Sequence, residues 1–304
     1  MIGLVKRSTG SWYDVYLEDG RILACRTRGK LRLEGFKESN PVAVGDYVEL
    51  DIENDGGVIY KILDRKNHIL RQSVKKTGHA HVLAANIDQA VLVVTMILPR
   101  TSSGFIDRFL VTAEAYDIPQ AIIFNKQDVL DHESLDLQNQ LIETYTRIGV
   151  RCLKISALTD DLNEVQELLK NKTSLIAGHS GVGKSTLLNK LSPEINQTTS
   201  GISGFSEKGT HTTTFAEMFR INNQTFVIDT PGIKEWGLVN ISGEELSDNF
   251  PEMRALRSEC KYGYRCLHVN EPRCAIKHAV EEGEIATSRY ANYLSMLSGE
   301  DNRK

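Results

Sequence analysis

One run of nine residues constrains this chain more than any other feature. Gly178-His179-Ser180-Gly181-Val182-Gly183-Lys184-Ser185-Thr186 matches G-x-x-x-x-G-K-[ST], the phosphate-binding P-loop. The apolar run Ser174 to Ala177 before it reads as a strand, and Ser185 to Leu191 after it reads as a helix. The glycines let consecutive backbone N–H groups turn inward around phosphate oxygens. The helix N-terminus adds favourable partial charge. Lys184 is placed to reach β- and γ-phosphates, and Ser185 to hold Mg²⁺. A chance match in an ordinary strand–turn–helix is the competing reading, and the flanking pattern argues against it.

A P-loop does not choose between adenine and guanine. That choice rests on Asn125-Lys126-Gln127-Asp128, which follows the predicted strand Gln120 to Phe124 and matches N-K-x-D. An aspartate in the base plane accepts from the guanine ring N–H and the exocyclic amine. Adenine offers no such donor pair and would leave the carboxylate unpaired. Lys126 can lie along the base face, and Asn125 can tie this loop to the P-loop. Ser156-Ala157 closes the predicted strand Arg151 to Ile155 and can offer a backbone N–H to the guanine carbonyl. Alone, that dipeptide is equally a loop or an N-cap.

Asp229-Thr230-Pro231-Gly232 ends the predicted strand Thr225 to Ile228 and matches D-x-x-G. Asp229 is expected to reach Mg²⁺, directly or through water, and the Gly232 amide to sense the γ-phosphate. Between these motifs lies Gly209-Thr210-His211-Thr212-Thr213-Thr214. One of its threonines can complete the Mg²⁺ shell; the sequence does not choose among them, and Thr213 is favoured here. A strand entrance is the plainer account of such a run.

The order carries information of its own. GTPases usually run P-loop, switch threonine, D-x-x-G, N-K-x-D, S-A. Here N-K-x-D and S-A come first, and D-x-x-G comes last. It is the same cycle cut at another point, which a sheet with neighbouring termini tolerates. D-x-x-G then leads straight into whatever follows, so a nucleotide-dependent movement there can reorient the C-terminal segment.

The rest of the chain divides around this core. Residues 1–70 show short strand-like runs separated by turns such as Glu18-Asp19-Gly20, with no helical signal. They predict a small β-barrel, an OB-fold first and an SH3-like barrel second. The polar, basic stretch 71–81 reads as a linker. Residues 82–237 alternate strands and helices as a doubly wound α/β domain. Residues 238–304 form a further unit ending in a helix, with Tyr290, Tyr293, Leu294 and Leu297 on one face.

Charge is uneven along these units. Residues 1–76 carry 14 basic against 11 acidic side chains, and 77–251 carry 13 against 21. Basic patches lie at Arg21 to Lys37, Lys61 to Lys76 and Arg254 to Lys277. Such patches suit a polyanion such as RNA, although any single one is more simply a solvated surface. No apolar run approaches the roughly 18–20 residues of a membrane span, and the N-terminus lacks the apolar core of a signal peptide. A cytoplasmic protein with no membrane partner is expected.

Cys260-x5-Cys266-x-His268-x5-Cys274 gathers three of the five cysteines beside a histidine. Three thiolates and an imidazole make a Cys₃His zinc set, which would hold together a segment with little core of its own. Three buried cysteines near a surface histidine are the alternative.

Together, a β-barrel, the permuted GHSGVGKST, GTHTTT and DTPG motifs, and a Cys-Cys-His-Cys knuckle resemble the ribosome small-subunit-dependent GTPase A family, RsgA or YjeQ. The resemblance covers essentially the whole chain. It implies an N-terminal OB-fold, a circularly permuted GTPase domain and a C-terminal zinc-binding, mostly helical domain. It implies GTP hydrolysis to GDP, stimulated by the 30S ribosomal subunit during its late maturation, with 16S rRNA as partner, one structural Zn²⁺ and Mg²⁺ with GTP. A monomer is expected. The family lacks the usual water-orienting glutamine, and Ile233 stands at that place here. By resemblance His211 takes the catalytic role beside Lys184. The family's first two cysteines are usually four residues apart; here Lys261 to Arg265 makes five, a departure that bears on Cys260. A module in which GTP mainly switches RNA binding is the alternative reading.

Overall fold

The computed structural model describes residues 1–28, 41–53, 56–72, 80–192, 195, 216–230 and 241–300. Apolar alternation in the first sixty residues is satisfied by closing a barrel from β1 (Ile2–Ser8), β2 (Tyr13–Leu17), β3 (Ile22–Thr27), β4 (Tyr47–Glu53) and β5 (Gly56–Ile62). The order is β1-β2-β3-β5-β4, with β4 pairing back to β1 and β3 running parallel to β5. This is the OB arrangement. Val5, Val15, Leu17, Val48, Leu50 and Ile59 fill its interior. Burial pushes the Cys25 and Cys152 thiols up to about 11, so neither is poised as a thiolate.

A hairpin of β6 (His68–Gln72) and β7 (Ala80–Ala85) follows. The ends of the expected linker 71–81 fall in this ladder, and residues 73–79 lie outside the described residues. Its base is locked to the barrel. Asn67 exchanges two hydrogen bonds with the Ile87 backbone, and Asn86 donates to the Gly45 carbonyl. Beside it, Arg65 grips Asp46 through two 2.7 Å bonds.

The second unit contains β8 (Gln89–Val94), α1 (Ser103–Glu114), β9 (Gln120–Phe124), α2 (His132–Arg147), β10 (Arg151–Lys154), α3 (Asn163–Leu169), β11 (Thr173–Ala177), α4 (Lys184–Leu191), β12 (Glu217–Asn222) and β13 (Thr225–Asp229). Strands β10-β9-β8-β11-β13 are parallel, and β12 closes the row antiparallel to β13. The period of two in β8 sends Ala90, Leu92 and Val94 to the face covered by α1 and α2, and Val91 and Val93 to the face covered by α3 and α4. The chain winds outward from β8 through β9 to β10, then returns to β11. The switch point therefore lies between β8 and β11, where doubly wound sheets bind ligands.

The barrel and the parallel sheet are one eleven-stranded sheet, joined where β1 meets β12 at Arg7 and Glu217. Lys6 pairs with Glu217 at 2.8 Å. The Arg220 guanidinium lies 5.0 Å from the Tyr16 ring and 5.6 Å from the Phe226 ring.

The last unit is helical: α5 (Gly243–Leu246), α6 (Pro251–Leu256), α7 (Ala275–Glu281) and α8 (Thr287–Leu297). Ser242 and Glu245 form a capping box at the start of α5. Leu246, Phe250, Met253, Ile276, Tyr293 and Met296 pack together with Val111 of α1. Arg289 of α8 crosses the same boundary. It pairs with Asp107 of α1 at 2.7 Å and with both oxygens of Glu252 of α6 at 2.7 and 3.0 Å. Among the described residues no helix is long and apolar enough to cross a membrane.

Candidate functional site

The guanine-type and phosphate-type motifs are far apart in sequence, and the sheet brings them to one edge. Asn125 follows β9, Ser156 follows β10, Gly178 follows β11 and Asp229 ends β13, all at the carboxyl ends of parallel strands.

The Asn125 carboxamide ties three of these loops. Its Nδ2 donates to the Val182 carbonyl in the P-loop at 2.8 Å, and its Oδ1 accepts from the Ala157 amide at 2.9 Å. Gly183 makes room for this link. It has φ +95°, and a Cβ there would stand 2.4 Å from Asn125 Nδ2. Gly178 is equally constrained, with φ +150° and a would-be Cβ 2.3 Å from the Val93 carbonyl oxygen. The Ser156 hydroxyl donates to Asp128 at 2.5 Å and so orients the carboxylate expected to read guanine. Both amides of the Ser156-Ala157 pair are engaged within the protein, Ser156 N with Asp160 at 2.7 Å and Ala157 N with Asn125. A guanine carbonyl reaching the Ala157 amide would share or replace the Asn125 bond.

Lys184 opens α4 and folds over the P-loop, donating to the carbonyls of Gly178 at 2.7 Å and His179 at 3.1 Å. Burial lowers its pKa from the ordinary lysine value, and the Asp229 carboxylate opposes that shift. An ammonium desolvated in this way gains strongly from any phosphate oxygen that approaches it. Gln127 begins a 3₁₀ turn and Lys126 holds φ +65° just before it. Ser180, Gly181, Ser185 and Thr186 line the P-loop and the first turn of α4. Thr230 Oγ1 is buried with no hydrogen-bond partner among the described residues, beside Asp229 where the D-x-x-G segment begins. His211, Thr213 and Gly232 lie outside the described residues.

Sequence reasoning missed the loop between β8 and α1, which borders the P-loop. Thr95 and Thr101 exchange hydrogen bonds at 2.9 and 3.2 Å across it. Its Leu98 carbonyl accepts from Lys126 Nζ, and Pro99 lies against Gly181. Phe105 of α1 stacks on His179 with ring centroids 3.9 Å apart. Nothing in the sequence pairs residue 105 with residue 179; only the adjacency of β8 and β11 does.

The second site is the knuckle. Cys260, Cys266, His268 and Cys274 are all buried, and their ligand atoms lie within 4.8 Å of one another. His268 Nδ1 sits 3.7 Å from Cys260 Sγ and 3.3 Å from Cys274 Sγ, and those sulfurs are 3.9 Å apart. Zn²⁺ with bonds of about 2.3 Å to sulfur needs ligand atoms about 3.8 Å apart, so the set fits a tetrahedral cation. The 3₁₀ turn Gly263–Arg265 takes up the five-residue spacer and leaves Cys260 inside the cluster. Burial pushes the Cys266 thiol up to about 12. Burial, aided by Arg257, holds His268 down at about 4, the neutral form that ligates. A cation entering here would expel thiol protons. Outside the ligands, Glu271 accepts from the Leu267, Val269 and Asn270 amides, and Tyr290 and Tyr293 donate to the His268 and Leu267 carbonyls.

A parallel sheet with N-K-x-D, S-A, P-loop and D-x-x-G at one edge, in rotated order, defines a circularly permuted P-loop GTPase. The RsgA GTPase family model matches residues 62–239, and the RsgA N-terminal domain model matches residues 2–59. A small ribosomal subunit biogenesis GTPase RsgA of Bacteroides fragilis is 48% identical, covering 100% of this chain and 98% of its own length. One of the same name from Flavobacterium johnsoniae is 49% identical over 99% of this chain and 94% of its own. The crystal structure of YjeQ from Thermotoga maritima superposes with a TM-score of 0.76 at 36% identity, covering 100% and 99% of the two chains. YloQ, described as a circularly permuted GTPase, gives 0.74 at 32% identity, covering 100% and 96%. The chain belongs to the RsgA GTPase family, and it is a GTPase.

Proposed function

We propose that this protein hydrolyses GTP to GDP and phosphate on the small (30S) ribosomal subunit and assists its late maturation. The observation that carries the reading is the Asn125 link, which holds a guanine-type loop against a phosphate-binding loop. Identity of 48% and 49% over 100% and 99% of this chain to relatives named small ribosomal subunit biogenesis GTPases supports the choice of partner.

In this reading Asp128 and the Ser156-Ala157 loop select guanine. The P-loop amides from Ser180 to Thr186 hold the phosphates, and Lys184 neutralises the β- and γ-oxygens. Ser185 and Asp229, the latter directly or through water, would hold Mg²⁺ with Thr213, and the ion would supply positive charge to the phosphates. Gly232 senses the γ-phosphate, and His211 orients the attacking water. The four knuckle residues hold one structural Zn²⁺. The working units are the barrel (1–70), the segment 71–81, the GTPase domain (82–237) and the zinc domain (238–304), with barrel and zinc domain gripping 16S rRNA. The protein acts as a monomer in the cytoplasm.

Phosphate release from GTP, with and without purified small subunits, tests the proposal, with ATP and large subunits as controls. Stimulation confined to small subunits and GTP is expected; equal turnover with and without subunits would refute the partner. His211→Ala is expected to keep GTP affinity and lose stimulated turnover. Full stimulated turnover in that variant would remove His211 from the role.

A further inference from the structure

The spacer between the first two knuckle cysteines carries more than a turn. Tyr262 and Tyr264 project from it, 47% and 71% exposed, and among the described large apolar side chains only Leu158 is as exposed as Tyr264. Tyr264 is nonetheless held. The Arg257 guanidinium, itself 3% exposed, lies 5.2 Å from the Tyr264 ring centroid and donates to the Tyr264 carbonyl at 2.6 Å. A buried cation on one side and high exposure of the ring leave the other face turned to solvent. Lys261 Nζ lies 5.2 Å from the Tyr262 ring. Lys261, Arg265 and Arg273 are exposed, and none forms an ion pair among the described residues. The Lys261 amide bonds to the Arg273 carbonyl at 3.3 Å, so the two basic segments adjoin. Of the nearby acids, Glu271 is turned inward onto three backbone amides, and Glu259 is exposed at the start of the segment.

We infer that Tyr264 is a fixed stacking platform for an unpaired base of single-stranded RNA, with Lys261, Arg265 and Arg273 binding the flanking phosphates. The inference rests on the proposed rRNA partnership and specifies which form of RNA the zinc domain takes. An exposed ring face backed by a cation fits the π-face of any base. In a duplex those faces are stacked inside, so a projecting tyrosine gains nothing there. Ordering cost is low, because the buried guanidinium already fixes the ring.

The test uses the full-length protein with fluorescent single-stranded oligoadenylate and an RNA duplex, each over a range of salt. Tyr264→Ala should weaken oligoadenylate binding roughly five- to a hundredfold, with duplex binding and the salt slope unchanged. Tyr264→Phe, which keeps the ring, should bind as wild type. 2-Aminopurine within the oligonucleotide should be quenched by wild type and not by Tyr264→Ala. Unaltered oligoadenylate binding by Tyr264→Ala overturns the platform alone. Wild type that binds neither RNA in a salt-dependent way overturns the RNA partnership and the platform together. Loss of small-subunit binding in Tyr264→Ala with RNA binding intact would assign the ring to a protein contact and overturn the inference.

Discussion

Asp128 shows what a single carboxylate is asked to do and how the fold prepares it. The Ser156 hydroxyl holds it in orientation at 2.5 Å from a neighbouring loop. In the proposed reading, Asp128→Asn would replace an acceptor for two guanine donors with a group that repels one of them. GTP should bind about 10- to 100-fold more weakly, and the preference over ATP should shrink. Titration with fluorescent GTP and ATP analogues measures both, and unchanged selectivity would remove Asp128 from base recognition. At this scale the sequence spoke clearly wherever chemistry demands a local pattern. The P-loop glycines, N-K-x-D and the Cys-Cys-His-Cys spacing are contiguous or nearly so. Phe105 against His179, and Lys126 against the Leu98 carbonyl, join distant residues through strand adjacency, and no spacing rule announces them.

Among the described elements, the knuckle is the one whose four buried side chains could take a cation. Its four-ligand set joins a short helical stretch to α7, and the helices around it are brief. Cys260→Ser should lower the zinc content from one ion per chain and lower the melting temperature. Elemental analysis and calorimetry measure these, and full zinc occupancy in the variant would exclude Cys260 as a ligand. The Arg289 contact makes a different demand. Its guanidinium sits between Asp107, which is wholly buried, and Glu252. Arg289→Ala leaves a buried carboxylate without its partner and should cost about 3–5 kcal/mol, read as a shift in the urea midpoint. A change below about 1 kcal/mol would mean that α8 carries no such charge lock. Buried parallel strands were legible because both faces are apolar, and β9 matches its expected span, Gln120–Phe124. Strands β1 and β12 carry no such signal. Each mixes charged and apolar residues, as in Glu217-Met218-Phe219-Arg220, because one edge serves the barrel junction. The hairpin β6–β7 was hidden by the basic composition that suggested a linker.

Both ends of the chain meet the GTPase unit, the barrel through β12 and the C-terminal helices through α1. The C-terminal helical unit packs on α1, whose Phe105 touches the P-loop, and β12 lies in sequence between the threonine-rich segment and Asp229. If the threonine-rich and D-x-x-G segments respond to phosphate as proposed, movement in either has a covalent route to β12 and, through β12, to the barrel. The β1–β12 seam also limits how the protein can be divided. A GTPase fragment started after the barrel would bare the outer edge of β12. The Phe226 and Arg220 surface that covers Tyr16 would be bared with it. An uncovered strand edge is a template for pairing with other chains. Such a fragment should self-associate, and low activity in it would report aggregation of an orphaned edge before it reported anything about catalysis.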